Sequence, residues 1–551
     1  MADVDQDLEQ LMGHLGEFGK YQMRQFLLHI LAALTAGLHM LTFVTVAAVP
    51  DHRCFIPGVD LNTTQTAVTS WDAEEIRQWV PKHADGSWDS CHMRSSPDEN
   101  ATMVPCKAWI YDNTYYTSSR SMEWDLVCGR RWMGAIAQAS YMFGVFAGAV
   151  TLGSMADKYG RKTIFYLCAV LQLILGVAVA FVPEFYTLLV VRFFYGVFGS
   201  AGAYITGFVL SMELVGPSKR TVCGITFQGF FAGGVMLVAF WGYFIRERVA
   251  LQVFYGLHGL LLIGHWWLID ESPRWLWSMG RVTEAVNIVE KAVRVNGGEA
   301  IDVAHYVSKG KSQERQRDEQ TYGILDLFKT PNMRAKMLNC CLNWFANSLC
   351  YYGLSLNTGK LPGDPFIILF LVGLVEIPSY VVTILLMDRT GRRSLISAMM
   401  VLAGLCTVAA AFIPQTTSTG SAIATTVVMT GKFLIAGSFA IIYNYTAELF
   451  PTPVRNTALG VGSMCARLSG ALTPLITLLD SLDKTLPTVI FASIAITSGL
   501  LSLLLPETLN QPMPQSMEDG ERFGQGDTAC ASCMGRRPAS PKYEVPLTTV
   551  D

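Results

Sequence analysis

Residues 153–162, Gly-Ser-Met-Ala-Asp-Lys-Tyr-Gly-Arg-Lys, have a partial copy at residues 388–393, Asp-Arg-Thr-Gly-Arg-Arg. In both segments an acid, a base, one variable residue, a glycine and two bases follow one another in that order. Each copy comes after a long apolar run, and its glycine permits a tight turn into the next run. The repeat predicts that the chain consists of two related halves, with the same turn at the same place in each.

The apolar runs on either side of these turns are about 20 residues long, the length a helix needs to cross the hydrocarbon core of a bilayer. Of the 551 residues, 51% are hydrophobic and 15% are charged, against about 25% charged in soluble proteins. This composition excludes an ordinary soluble enzyme, and the runs do not alternate as the strands of a membrane barrel do. We therefore predict an all-α membrane protein with twelve transmembrane helices, at about 22–48, 133–153, 163–183, 186–209, 222–244, 250–270, 336–356, 366–387, 395–414, 421–445, 457–480 and 487–505.

The lysines and arginines of the short loops predict the orientation in the membrane. They occur after the second, fourth, eighth and tenth predicted spans and are missing after the third and ninth. This alternation places both termini in the cytosol, although Arg246 and Arg248 after the fifth span depart from it. The predicted division is a cytosolic N-terminus (1–21), a six-helix bundle (22–270), a cytosolic helical insert (271–335), a second six-helix bundle (336–505) and a cytosolic tail (506–551). The net charge of −3 gives no basic footprint for nucleic acid.

The long segment 49–132 follows the first predicted span and is expected to lie outside the cell. It contains four cysteines, which suggests two disulfides with three possible pairings: Cys54, Cys91, Cys106 and Cys128. Two Asn-X-Thr sequons in the same segment, at Asn62 and Asn100, predict glycosylation.

Further motifs lie at the inner ends of the predicted spans. They are Asp-Glu-Ser-Pro-Arg-Trp-Leu at 270–276, Ala-Glu-Leu-Phe-Pro-Thr at 447–452 and Leu-Pro-Glu-Thr-Leu at 505–509. The repeated turn resembles the loop signature of the major facilitator superfamily, although Ile384 stands where the second copy would begin with glycine. Together with the cysteine-bearing segment, these motifs resemble the organic cation, anion and zwitterion transporter family of animals, closest to its organic cation/carnitine type. The resemblance extends over nearly the whole chain, from Leu15 to Pro514.

This resemblance implies the major facilitator fold, with two six-helix bundles and a large disulfide-bonded extracellular loop. It also implies a multi-pass plasma-membrane protein that moves small organic ions by alternating access. We expect a monomeric transport unit surrounded by lipid. No cofactor and no metal are expected, and coupling to sodium or to protons stays open.

The two repeated turns predict a latch. An acid there would pair with bases and helix ends of the neighbouring bundle and hold one conformation shut towards the cytosol. A loop that only follows the positive-inside rule is the alternative, and the presence of two copies argues against it. The predicted latch residues are Asp157, Lys158, Arg161 and Lys162 in the first half, and Asp388, Arg389, Arg392 and Arg393 in the second.

Ionisable residues inside a span are costly and suggest function, and here they are Arg192, Glu376, Lys432 and Arg467. The guanidinium of Arg467 matches a carboxylate with two parallel hydrogen bonds. By the resemblance, arginine at this position is typical of anion and carnitine-type members, whereas Glu376 is typical of carnitine and cation members. One acid and one base suit a zwitterion such as a betaine or an amino acid. Alternatively, Glu376 pairs with Lys432 or Arg467 and neither meets substrate. Lys432 is either an anion site or a counter-ion to Glu376. Arg192 is expected to brace neighbouring helices through backbone carbonyls.

Aromatic side chains at helical spacing point to the wall of a substrate cavity. Ring faces attract quaternary ammonium groups through cation–π interactions. By the resemblance, the lining positions are Gln228, Trp344, Tyr351, Phe439 and Tyr443, although aromatic residues in a span more often serve packing or the interface belt. His39 is expected to make ordinary hydrogen bonds, with proton coupling as the alternative.

Other function classes find less support in the sequence. The chain has no zinc-binding His-Glu-X-X-His, no phosphate-binding loop and no nucleophile elbow in a fitting context, so an enzyme is not expected. An organic anion exchanger remains an alternative. A membrane receptor that does not transport also remains open, because a fold does not by itself determine function.

Overall fold

The computed structural model describes residues 2–60, 64–82, 88–98, 101–313, 323–356, 361–414, 417–511, 513–514, 516–525 and 527. Within these residues, helices of ten or more residues are numbered α1 to α15 in chain order. They are α1 (Ala2–Gly13), α2 (Lys20–Val46), α3 (Cys128–Tyr159), α4 (Arg161–Phe181), α5 (Phe185–Leu214), α6 (Arg220–Phe244), α7 (Arg248–Leu268), α8 (Val282–Asn296), α9 (Val303–Gln313), α10 (Pro331–Leu356), α11 (Pro365–Thr390), α12 (Arg392–Phe412), α13 (Ser418–Leu449), α14 (Arg455–Ser481) and α15 (Leu486–Ser502).

Most of these helices have the length and composition of membrane spans. In the part of the chain that the structure describes, ten are long and apolar enough to cross a bilayer, namely α2 to α7 and α11 to α14. The helix α15 is apolar but shorter, and α10 has 26 residues with asparagines at 339, 343 and 347. The helical membrane architecture is confirmed, and the count of twelve spans stays a prediction.

The two repeated turns have the conformation that their glycines predict. Gly160 has a φ of 102° and Gly391 a φ of 85°, in the region that favours glycine because it has no Cβ. Gly160 separates α3 from α4, and Gly391 separates α11 from α12. The turn therefore joins the second and third long helices of each half.

The two halves meet along two helix pairs. The helices α2 to α7 form the first half and α10 to α15 the second, with α3 packed on α14 and α6 packed on α11. The helix α5 contains a π-helical segment, Val197–Ala203, in its middle. Two further long helices, α11 and α14, contain an interior proline at Pro378 and Pro474.

The segment between α2 and α3 forms a small separate unit. His52–Cys54 pairs antiparallel with Trp109–Tyr111, and His92–Arg94 pairs antiparallel with Met103–Pro105. The structure pairs Cys54 with Cys106 and Cys91 with Cys128, one of the three arrangements left open. Asn62 and Asn100 lie outside the described residues.

Each half has an additional helical layer at the end that carries the repeated turn. Under the first half, α1, α8, α9 and the helix Pro273–Ser278 share an apolar cluster. The hydrogen bond from Arg274 lowers the pKa of Glu9 on α1. Under the second half, the tail helix Met517–Arg522 packs against α10, where Lys336 Nζ donates to the carbonyl of Gly520 at 2.9 Å.

Candidate functional site

A cavity lies between the two halves. Its wall is formed by α2, α3, α5 and α6 of the first half and by α10, α11, α13 and α14 of the second. The lining residues are Met40, Met142, Val145, Ser200, Tyr204, Gln228, Phe231, Ser348, Tyr351, Tyr352, Tyr380, Phe439, Tyr443, Ser463, Ala466, Arg467 and Gly470.

The structure brings five of the predicted substrate residues to this cavity. These are Gln228, Tyr351, Phe439, Tyr443 and Arg467. The other three, Trp344, Glu376 and Lys432, are fully buried behind the wall. The predicted set therefore divides into residues that can contact a ligand directly and residues that support them.

The second half supplies an aromatic wall. Trp344 packs edge-on to Tyr443, with ring centroids 4.3 Å apart, and to Phe439 at 5.9 Å. Tyr351 lies 5.9 Å from Phe439. The indole Nε1 of Trp344 donates to Thr446 Oγ1 at 3.0 Å, which fixes the ring under the two aromatic residues that face the cavity. Such edge-to-face packing is favourable, and the face of an aromatic ring presents negative potential to a cation.

Arg467 is the charged side chain on this wall. It is half-buried, and its Nη1 donates to the Ser463 carbonyl at 3.0 Å and to the Ser463 hydroxyl. No carboxylate among the described residues lies within ion-pair distance of it. Because these bonds use only one of its nitrogens, the guanidinium keeps donors for an anionic group in the cavity.

Glu376 and Lys432 form an ion pair behind the wall. Lys432 Nζ lies 3.0 Å from Glu376 Oε1, and both side chains are fully buried. The ammonium also donates to Ser355 Oγ at 2.7 Å and lies 3.1 Å from the ring centroid of Tyr351. Tyr380, which lines the cavity, donates to Glu376 Oε2 at 2.9 Å. Tyr351 and Tyr380, which line the cavity, are in contact with this pair. Of the alternatives left open for Glu376, the structure shows the pairing with Lys432.

The ion pairs of the repeated turns are nearly identical in the two halves. Arg161 lies 3.3 Å from Asp157 and 3.0 Å from Glu213 on α5. In the second half, Arg392 lies 3.1 Å from Asp388 and 3.0 Å from Glu448 on α13.

In this structure each arginine pairs within its own half and not with the neighbouring bundle, and the latch between the halves stays a prediction. The pairs form within each half because Glu213 and Glu448 end the fourth long helix of each half, directly beside the turn. Two more acids cap the helices after the turns. Glu271 accepts from the Lys162 amide at 3.0 Å, and Glu507 from the Arg392 amide at 2.8 Å.

The remaining latch residues have different contacts. Lys162 Nζ lies 4.9 Å from the Trp266 ring, and Lys158 Nζ lies 5.3 Å from the Tyr159 ring. Arg393 donates to Asp527 at 3.2 Å, and Arg389 is exposed.

Two polar residues of the first half make hydrogen bonds of the kind that the sequence predicts. Arg192 Nε donates to the Ala137 carbonyl at 2.9 Å, and its Nη2 donates to Gln138 at 2.7 Å. His39 is hydrogen-bonded to the Tyr195 hydroxyl. In the described part of the chain, no group of three or more His, Cys, Asp or Glu side chains is placed to hold a metal ion.

Apart from Gln228, the sequence analysis missed the residues that the first half contributes to the cavity. Tyr204 follows the π-helical segment of α5, and its ring lies 6.0 Å from Phe231 on α6. Met40 and Met142 complete this side. Their residue types do not differ from those of ordinary packing residues, and the one available signal was the run of small residues before Tyr204. Glu271, Glu448 and Glu507 had such a signal, since each lies in a motif at the inner end of a predicted span.

Comparison with known proteins agrees with this architecture. The model of the sugar (and other) transporter family matches residues 99–518. The chain is 37% identical to an organic cation transporter protein of Drosophila melanogaster, over 94% of this chain and 95% of that protein. It is 32% identical to solute carrier family 22 member 16 of Xenopus laevis, over 94% of each chain. It is 33% identical to solute carrier family 22 member 7 of Rattus norvegicus, over 93% of this chain and 98% of the relative.

Solved structures share the fold at lower identity. The major facilitator proton:xylose symporter XylE bound to 6-bromo-6-deoxy-D-glucose aligns with a TM-score of 0.58 and 17% identity, covering 91% of this chain and 99% of that one. The inward-open xylose transporter XylE of E. coli aligns with a TM-score of 0.58 and 15% identity, covering 90% and 98%. Because a family model matches most of the chain and relatives more than 30% identical cover over nine-tenths of it, the chain belongs to solute carrier family 22 of the major facilitator superfamily.

Proposed function

We propose that this chain is a plasma-membrane secondary transporter for small zwitterionic organic ions that carry a carboxylate and a cationic group. The family consists of membrane transporters and not of enzymes. The observation that carries the proposal is Arg467, a cation on the cavity wall without a carboxylate partner among the described residues. It lies in the same cavity as the aromatic side chains of Phe439 and Tyr443.

The charges around the cavity support a substrate with a carboxylate. Glu376 and Lys432 neutralise each other at 3.0 Å, so Arg467 leaves this region with a net positive charge. A bidentate arginine–carboxylate contact satisfies that charge. The aromatic wall then offers cation–π contacts to an ammonium group on the same molecule.

Organic anion exchange is the second candidate, because a net positive cavity also favours an anion without an ammonium group. The aromatic wall separates the two candidates, since it contributes to binding of a zwitterion through its ring faces and to binding of an anion only through apolar contact.

Substrate uptake into vesicles tests the assignment. The purified chain would be reconstituted in proteoliposomes and offered a betaine, the matching quaternary amine without a carboxylate, and a dicarboxylate, with and without sodium. Arg467→Gln is expected to lower kcat/KM for the betaine roughly 10- to 150-fold, the value of a charged hydrogen-bonded contact. Uptake of the quaternary amine is expected to stay unchanged in the variant, and Arg334→Gln, which replaces an exposed arginine outside the cavity, serves as the matched control.

Three results would contradict the proposal. Betaine uptake that is equal in wild type and Arg467→Gln would remove the assigned role of Arg467. Faster exchange of the dicarboxylate than of the betaine would favour the anion exchanger. Saturable binding without accumulation would favour a receptor.

We further propose that transport proceeds by alternating access between two six-helix bundles, with residues 49–132 outside and both termini in the cytosol. Arg131 Nη2 donates to both carboxylate oxygens of Asp480, at 2.9 and 2.8 Å, and so joins the start of α3 to the end of α14. In the predicted topology this ion pair lies at the outer side. The ion pairs at the inner turns form within each half and do not join the two halves. This supports a state in which the two halves are held together on the outer side and not on the inner side.

Accessibility to cysteine reagents tests the outer ion pair. Arg131→Gln is expected to raise labelling of a cysteine introduced at Ser463 from the outer side, and the exchange Arg131→Asp with Asp480→Arg is expected to restore the wild-type pattern. Outer labelling that is the same in all three proteins would show that this ion pair does not hold the outer side closed.

A further inference from the structure

A second concave surface lies outside the transport cavity, at the beginning of α2. We call it the α2 groove. It is bounded by the first turns of α2, the end of α7 and the end of α8, and its main lining side chains are Lys20, Met23, Arg24, Leu27, Leu28 and Leu268.

The α2 groove changes from basic to apolar along the helix. Lys20 and Arg24 are one turn apart and exposed. Met23 and Leu27 lie on the same face, since residues three and four apart on a helix are neighbours. They are 48% and 53% exposed, so the basic end continues directly into open apolar surface.

The two cations have no counter-charge within the described residues. Neither Lys20 nor Arg24 makes an ion pair or a side-chain hydrogen bond there. Asp270, the acid to which the neighbouring Tyr21 donates at 2.8 Å, is already paired with Lys291 at 2.7 Å. The opposite face of α2 bonds inward, where Gln25 donates to the Leu268 carbonyl at 3.2 Å.

We propose that the α2 groove binds an anionic phospholipid. Its phosphate lies between Lys20 and Arg24, and an acyl chain lies along Met23, Leu27 and Leu28. Basic residues at the end of a membrane span attract anionic headgroups, and α2 begins at Lys20 and has the length and composition of a span. Charge followed by apolar surface is the order in which a lipid presents its headgroup and chain. A free phosphate would use the two cations only and leave the apolar part of the groove empty.

Photolabelling with a lipid probe tests the site. The full-length chain would be placed in nanodiscs of phosphatidylcholine that contain phosphatidylserine with a diazirine on its acyl chain. Because both leaflets contain the probe, the test does not depend on orientation. The labelled peptides would be mapped by mass spectrometry, and gel filtration would check that each variant is folded.

The expected label lies in the peptide that contains Met23 to Leu28. Lys20→Gln with Arg24→Gln is expected to weaken it roughly thirtyfold, at about the free energy of one headgroup contact per charge. The matched control, Lys219→Gln with Arg334→Gln, removes two other exposed cations that line no such groove and is expected to label like wild type. Lys20→Arg with Arg24→Lys is expected to keep the label.

Other results would overturn the proposal. Equal labelling of this peptide in wild type and in the Lys20/Arg24 variant would show that the two cations do not select the lipid. An equal loss in the Lys219/Arg334 control would show a general effect of charge. Full competition by soluble glycerophosphoserine at the same concentration as the lipid would show that the apolar surface contributes nothing.

Discussion

Lys432 and Arg467 are both cations at membrane depth, but their charges are compensated in different ways. Lys432 is fully buried behind the aromatic wall and lies 3.0 Å from Glu376. Arg467 is half-buried on the wall itself, and among the described residues its side chain hydrogen-bonds only to Ser463. A charge in the membrane interior is costly. A charge that is neutralised by another residue of the chain therefore contributes to the fold, whereas a charge without such a partner is available to a ligand. Under the proposed function, this contrast distinguishes a residue that supports the cavity from one that binds the substrate.

The largest expected effect comes from breaking the buried pair. Lys432→Met leaves the Glu376 carboxylate buried without its counter-charge, which should lower the free energy of unfolding by about 3–5 kcal/mol. The measurement is thermal or denaturant unfolding of the purified protein in detergent.

The double variant Glu376→Leu with Lys432→Met is the matched control, since it removes both charges together. Replacing a buried ion pair by apolar residues is often neutral, so the double variant should recover most of the stability that the single variant loses. A double variant as unstable as the single one would mean that the pair is not the source of the stability.

Arg467→Gln should behave in the opposite way. The apo protein should keep its midpoint of unfolding, because Arg467 has no ion pair to lose among the described residues. A betaine present at a hundred times its Kd should stabilise wild type by about 2.7 kcal/mol, and most of this ligand effect should disappear in the variant. A large loss of stability without ligand would show that Arg467, like Lys432, contributes to the stability of the fold. The proposed difference between the two cations would then be wrong.

The difference between the two cations was only partly predictable from the sequence. The repeated turns gave the two halves, Gly160 and Gly391 have the expected positive φ, and Arg192 braces α3 as expected. The direction in which Glu376 and Lys432 face depends on how α11 and α13 are rotated about their axes when they pack. A single sequence does not determine this rotation.

Tyr204, on the first half's side of the cavity, was missed for a local reason. Prediction of helix faces assumes 3.6 residues per turn, but the π-helical segment Val197–Ala203 interrupts α5. The wider turn shifts the face of every residue after it, including Tyr204, which lines the cavity. Such bulges are frequent at functional sites, but the small residues of Val197–Ala203 are a weak signal for one, because small residues also occur in ordinary close-packed membrane helices.

A smaller effect is expected at Tyr380, which connects the two charge sites. Its hydroxyl donates to Glu376 at 2.9 Å while its ring lines the cavity. Tyr380→Phe removes this hydrogen bond to a charged group and should cost about 1.5–3 kcal/mol of stability, with betaine affinity changed less than in Arg467→Gln. Tyr352→Phe is the control, because its hydroxyl contacts only the sulfur of Met40. A greater loss of affinity than of stability in Tyr380→Phe would mean that the buried pair also reads the substrate.

The smallest effect should come from Ser463, which holds Arg467 in place through its hydroxyl and carbonyl. Ser463→Ala removes the hydroxyl contact but leaves the carbonyl bond and the charge. Loss of one such bond is worth about 0.5–1.5 kcal/mol, so betaine affinity should fall roughly two- to tenfold by the usual conversion. Isothermal titration would measure it, and Ser463→Thr, which keeps a hydroxyl, should bind like wild type. Equal affinity in Ser463→Ala and Ser463→Thr would show that the carbonyl bond alone positions the guanidinium. A loss as large as that of Arg467→Gln would show instead that the charge binds a carboxylate only when Ser463 fixes its direction.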